Sequence, residues 1–218
     1  MVTAFTQKGY MTQDINKAFA EKIKDIRKPY GYAFQIAGEA EKEKEAFGGG
    51  FMTVVIATIF LFIMVLVLEF RTFKSTLIVL SVIPLGIIGG VIMLWLTGNP
   101  MSFVAIIGFI GLAGVEVKNS ILLVDFTNQL REKGMGIDQA IREAGELRFL
   151  PIVLTSLTAI GGLIPIALNS NPLVSPLAIV LIGGLISSTI LSRIITPVVY
   201  KLIPPAVETA SPDDGSHT

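Results

Sequence analysis

The sequence predicts an all-α transmembrane bundle of five helices, preceded by a small extracytoplasmic β-α-β unit of α+β character. Three observations lead there. Hydrophobic residues fill 52% of the 218 positions and charged residues only 16%, with a mean hydropathy of +0.71. A soluble domain would carry about 25% charged residues. Five apolar segments approach or exceed the roughly 20 residues that a helix needs to cross a hydrocarbon core of about 30 Å. Glycines cluster inside those segments at spacings of three or four.

The front of the chain is of another kind. Residues 1–6 read as a short strand. Residues 12–26 place Ile15, Ala18, Phe19, Ile23 and Ile26 at helical spacing. Tyr32, Phe34 and Ile36 alternate with Ala33, Gln35 and Ala37, the pattern of a half-buried strand. Residues 39–47 are charged and predicted helical, leading through Gly48-Gly49-Gly50 into the first span. So short a unit cannot close a hydrophobic core alone and needs a partner. Residues 1–11 have neither a basic n-region nor an apolar h-region. A charged segment exported ahead of a first span needs a signal or a preceding helix to carry it. The expectation is the tail of a longer polytopic protein, or a chain that pairs with a separately encoded first half.

The spans are predicted over residues 51–68, 75–96, 102–125, 150–168 and 176–203. The first ends in the charged turn Glu69-Phe70-Arg71-Thr72-Phe73-Lys74, the second at Thr97-Gly98-Asn99-Pro100, and the fifth at Pro204-Pro205. Pro84, Pro151 and Pro165 fall in or at the edge of spans, where neighbouring helices can satisfy the freed carbonyls. Gly86 and Gly89 on the second span, and Gly108 and Gly111 on the third, put small residues where helix backbones can approach closely. The organisation expected is a front unit over 1–47, a five-helix membrane region over 48–205 and a disordered cytoplasmic tail over 206–218. Lysine and arginine set the orientation. Arg71, Lys74, Arg131, Lys133, Arg142, Arg148 and Lys201 all fall on one side, and the two loops of the other side hold none. The first side is read as cytoplasmic, with the N-terminus outside and the C-terminus inside.

Several function classes drop out. Basic and acidic residues balance at 17 each, which gives no basic surface for nucleic acid. There is no cysteine, and the single His217 lies in a polar tail, so no metal centre is expected. Nothing supplies a nucleophile–base pair or a phosphate-cradling loop, so neither an enzyme nor a cofactor is expected.

Ionisable groups inside spans cost a few kcal/mol each on insertion scales and default to functional candidates. The third span holds Glu116, Lys118, Asn119 and Asp125. Residues seven apart share a helix face, so Lys118 and Asp125 line up while Glu116 points elsewhere. Arg148 and Thr155 repeat that spacing on the fourth span. Asp125 also fits a solvated position near the cytoplasmic end, and Arg193 a snorkelling one. Thr155, Ser156 and Thr158 also fit ordinary interhelical hydrogen bonding. Lys118, deep in its span, has no such escape and is the strongest candidate.

With these residues in view the chain resembles the C-terminal half, helices 8 to 12, of the resistance–nodulation–division (RND) efflux permeases. The run GLAGVEVKNSILLVDF from Gly111 to Phe126 is similar to the family's tenth helix. Arg148 to Ser156 (RFLPIVLTS) is similar to the entry of its eleventh, and Val82-Ile83-Pro84-Leu85-Gly86 to its ninth. The front unit resembles the end of a porter subdomain. The resemblance implies a multi-pass protein of the bacterial inner membrane and proton-driven export. It matches Lys118, Arg148 and Thr155 to the family's proton-relay positions, with Asn119, Asp125 and Glu116 as further candidates. It also implies acidic relay partners on the N-terminal half, membrane lipid around the bundle, and a homotrimer with a periplasmic adaptor and an outer-membrane channel. Glu116 departs from the best-known drug pumps. Lys118-Asn119 and the lack of metal-ligand clusters favour the branch exporting amphiphilic drugs over the heavy-metal branch. Two other readings stand beside this one: an RND-related protein-translocation accessory, and an inactive truncation product.

Overall fold

The computed structural model describes residues 12–24, 26, 48, 51–70, 72–169 and 174–206. Helix α1 spans Thr12–Lys24, with Ile23 buried and Ile15 and Phe19 exposed. The strands expected over residues 1–6 and 32–37, and the helix over 39–47, lie outside the described residues, as do residues 207–218 of the tail. Among the described residues there is no strand.

Among the described residues, five helical stretches are long and apolar enough to cross a membrane. The first is α2, Phe51–Phe70, whose described side chains are mostly exposed, with Leu66 and Phe70 buried. The second crossing, Phe73–Thr97, is broken into α3 (Phe73–Leu80) and α4 (Ile83–Thr97). Pro84, in the first turn of α4, is the cause: it offers no N–H to Leu80 and its ring crowds that carbonyl. The Ser81 hydroxyl at the break donates to the Ile78 carbonyl at 2.6 Å.

Helices α5 (Phe103–Glu132) and α6 (Ile137–Ala167) both run beyond the predicted spans. The stretch 126–149, which lies between the third and fourth predicted spans, is the helical continuation of both around a short turn. At about 1.5 Å per residue, 30 and 31 residues outrun the hydrocarbon core, so the amphipathic ends project from it. The turn closes as a Schellman motif: Met135 N–H reaches the Leu130 carbonyl, Gly134 N–H reaches that of Arg131, and Gly134 sits at φ 85°. Leu130 and Met135 make the accompanying apolar contact, with Ala140 and Ala144 of α6. Pro151 is accommodated inside α6.

Helix α7, Ser175–Leu202, is the centre of the bundle and packs on α4, α5 and α6. It meets α4 through glycine. A Cβ built on Gly183 would lie 2.6 Å from the Gly89 carbonyl oxygen, and one on Gly90 would lie 3.2 Å from the Val180 oxygen. Between α5 and α7, which run parallel, contacts recur in a constant register. Gly108 faces Val180, Leu112 faces Gly184, Glu116 meets Ser188, and Asn128 meets Tyr200. Rows of residues four apart are the ridges that helices use to pack, and the small residues along the α7 row let α5 lie close.

Candidate functional site

Two ionisable groups of α5, less than one turn apart, are sent to opposite sides of the helix. Residues two apart are rotated by about 200°. Glu116 is 2% exposed, turned toward α4 and α7, while Lys118 stands exposed on the outer surface.

Lys118 lies midway along α5. Gly111, Gly114, Val115 and Leu122 share its exposed face, and nothing lies within 4 Å of where a Gly114 Cβ would be. Among the described residues the one ion pair is Lys201–Asp138, so Lys118 has no ion-pair partner among them. Asn119 beside it is half-buried. Asp125, on the same side two turns on, is half-buried and accepts from Gln129 Nε2 at 2.8 Å.

On α6 the Arg148 guanidinium covers the Phe126 ring of α5 at 4.5 Å, and its buried Nε has no hydrogen-bond partner. α5 and α6 are antiparallel, so counting seven residues from the Arg148–Phe126 contact sets Thr155 level with Asn119. Thr155 is exposed, its hydroxyl donating to the Ile152 carbonyl at 2.9 Å. Lys118, Asn119 and Thr155 thus stand at one depth on an open face, with Arg148 and Asp125 two turns nearer the polar end. No hydrogen bond joins any two of these five.

Glu116 is placed differently. The Ser188 hydroxyl donates to its Oε1, and a Cβ on Gly86 would lie 3.3 Å from its Cγ. Ser187, one residue earlier, donates to the Leu85 carbonyl at 2.9 Å. Adjacent serines of α7 therefore bond to α4 and to α5. Of the glycines, Gly86, Gly89 and Gly108 lie at helix contacts, whereas Gly111 has only a Leu181 methyl at 3.9 Å from its Cβ position.

The projecting end of the bundle is tied by a polar chain that sequence reasoning missed. Asn128 Nδ2 donates to Ser75 Oγ at 3.4 Å, and the Tyr200 hydroxyl donates to Asn128 Oδ1. Arg131 Nη1 donates to the Tyr200 oxygen at 3.2 Å and to the Pro205 carbonyl at 2.8 Å. Lys74 and Lys201 stand at the same end, the first 3.4 Å from the Pro204 carbonyl and the second 2.7 Å from Asp138. The four-residue recurrence of Gly184, Ser188, Ser192, Thr196 and Tyr200 was a visible signal for part of this.

The chain matches the AcrB/AcrD/AcrF family over residues 1–204. It belongs to that family. Members similar to it include the cobalt-zinc-cadmium resistance protein CzcA of Cupriavidus metallidurans and the cation efflux system protein CzcA of an Alcaligenes species. Each is 33% identical over 204 residues, covering 87% of this chain and 19% of the relative. The crystal structure of a heavy metal efflux pump superposes with a TM-score of 0.67 at 28% identity, over 88% of this chain and 19% of that one. A second crystal form gives 0.59 at 30% identity over the same shares. The chain spans 19% of the length of the relatives it matches. With family membership and five crossing helices together, this is a multi-pass membrane protein of the efflux-permease family.

Proposed function

We propose that this chain is part of a proton-driven, RND-type efflux permease of the bacterial inner membrane whose cargo is a heavy-metal cation. The observation that carries the transport reading is Lys118: a cation midway along a membrane helix, on an exposed face with no ion-pair partner among the described residues. Lipid cannot solvate it. The open glycines beside it leave room for another helix, and an acidic side chain there would complete a relay with Lys118, Asn119, Thr155, Arg148 and Asp125. That helix belongs to the N-terminal half of the permease. The gathering of Lys74, Arg131 and Lys201 at one end supports a cytoplasmic C-terminus and a periplasmic N-terminus. A homotrimer joined to a periplasmic adaptor and an outer-membrane channel is the assembly proposed, with no enzymatic step.

The proposed cargo departs from the sequence reading, which favoured amphiphilic drugs. The relatives are named for cobalt-zinc-cadmium resistance and for cation efflux, and the matching structures for heavy-metal efflux. Lys118-Asn119 bears on proton coupling, not on cargo. The lack of a metal-ligand cluster among the described residues concerns only 19% of a permease.

The test is a chimera in which this chain replaces the matching segment of a CzcA-type permease, in cells stripped of metal efflux. Restored zinc, cobalt or cadmium tolerance that collapses with the proton gradient and with Lys118→Ala is the expected result. Efflux indifferent to Lys118→Ala sinks the relay. Tolerance to amphiphilic drugs but to none of the metals overturns the cargo.

A further inference from the structure

We propose that Glu116 is a second proton-binding site of this bundle, separate from the Lys118 face, with Ser188 as its hydrogen-bonding partner. The inference rests on the packing of α4, α5 and α7 and is independent of the transport reading.

The geometry around the carboxyl is closed. Glu116 is 2% exposed and Ser188 1%. α4 meets this junction through Gly86 and Leu85 and carries no ionisable side chain. On α7 the charged groups are Arg193, stacked 3.9 Å over Phe149, and Lys201, paired with Asp138. On α5 itself Lys118 lies on the other face, and Asp125 is engaged by Gln129. Arg148 of α6 is stacked on Phe126. Among the described residues no cation faces Glu116, and a buried carboxylate without one is costly.

Ser188 makes both protonation states bondable. Its oxygen is within reach of two acceptors, Glu116 Oε1 and, at 3.3 Å, the Leu185 carbonyl of its own helix, but a hydroxyl has one hydrogen. With Glu116 ionised, that hydrogen points to the carboxylate. When a proton from water adds to the carboxylate, the new O–H of Glu116 donates to Ser188 Oγ, and the Ser188 hydrogen turns to Leu185. An O–H bond of hydronium breaks as the O–H bond of Glu116 forms, leaving water, and the reverse step returns the proton to water.

The placement gives the event leverage. Ser187 holds α7 to the Leu85 carbonyl, and Glu116 packs against Gly86, the next residue of α4. A change in the direction of the Ser188 bond therefore acts where three helices touch, and interfaces of this kind have discrete arrangements.

The experiment is infrared difference spectroscopy between acid and alkaline pH on this chain in lipid nanodiscs. A carboxylic C=O stretch that titrates, is lost in Glu116→Gln and shifts in frequency in Ser188→Ala is expected; Lys118→Ala leaves it in place. Spectra of Glu116→Gln identical to wild type would overturn the proposal. A band unmoved by Ser188→Ala would remove Ser188 from the site, and loss of the band in Lys118→Ala would end its independence from the outer face. Circular dichroism of each variant confirms that the bundle is intact. Should Glu116→Gln fail to fold, Ser188→Ala decides.

Discussion

Gly89 and Gly183 touch backbone to backbone where α4 crosses α7, each occupying space that the other's side chain would need. The Ser187–Leu85 bond lies beside this contact. Exchanging glycine for alanine normally favours a helix by about 1 kcal/mol. Here a Cβ on Gly183 would sit 2.6 Å from the Gly89 oxygen and would force the helices apart. Gly183→Ala should destabilise the bundle by about 1–3 kcal/mol, the usual cost of overpacking. Gly161, with nothing within 4 Å of its Cβ position, is the control. Gly161→Ala should be neutral or slightly stabilising. Reversible unfolding of both variants in mixed detergent micelles checks the contrast.

The α5–α6 turn depends on one backbone conformation. Gly134 holds φ 85°, in the left-handed region that costs other L-residues about 1–2 kcal/mol. Gly134→Val should lower stability by about that amount and Gly134→Asn by less, since asparagine tolerates the region better. Hydrogen exchange at the Gly134 and Met135 positions should report the loss first.

Tyr200 is 1% exposed and sits between Asn128 and Arg131. Tyr200→Phe keeps the packing but strips both of a partner. A cost of about 1–3 kcal/mol is expected from leaving a buried polar group unmatched. Asn128→Ala combined with Tyr200→Phe should cost less than the two single changes added together, because the pair shares one bond. A double-mutant cycle on unfolding free energies is the measurement. Full additivity would mean the bond contributes nothing.

Lys118 should behave in opposite ways in two assays. Among the described residues it has no ion-pair partner, so Lys118→Leu should favour membrane insertion and bundle stability by about 2–3 kcal/mol on insertion scales. In the chimeric permease the same change should abolish efflux. A Lys118→Leu variant that inserts less well than wild type would show that the lysine is already satisfied within this chain.

The Lys201–Asp138 pair joins two largely exposed side chains, at 65% and 73%. Asp138→Asn should change stability by no more than about 0.5 kcal/mol, with less effect at high salt. Unfolding at two ionic strengths reads this directly.

What the sequence by itself determined was the number of crossings, the ends marked by Gly98 and by Pro204-Pro205, and the depth of Lys118. Each follows from composition along one dimension: runs of apolar residues, turn residues that stop them, and a charge counted from the end of a run. The helical continuation over 126–149 was obscured because charged residues in an apolar chain read as loop, although an amphipathic helix leaving the membrane has the same composition. Only the tertiary structure decided that Pro84 breaks the second crossing, that Gly89 and not Gly111 lies at a tight backbone contact, and that Glu116 belongs with Ser188 while Lys118 looks outward. Those outcomes depend on which helix lies beside which and in what register. The α5–α7 pairing links residues 72 positions apart, a separation at which no local pattern carries information.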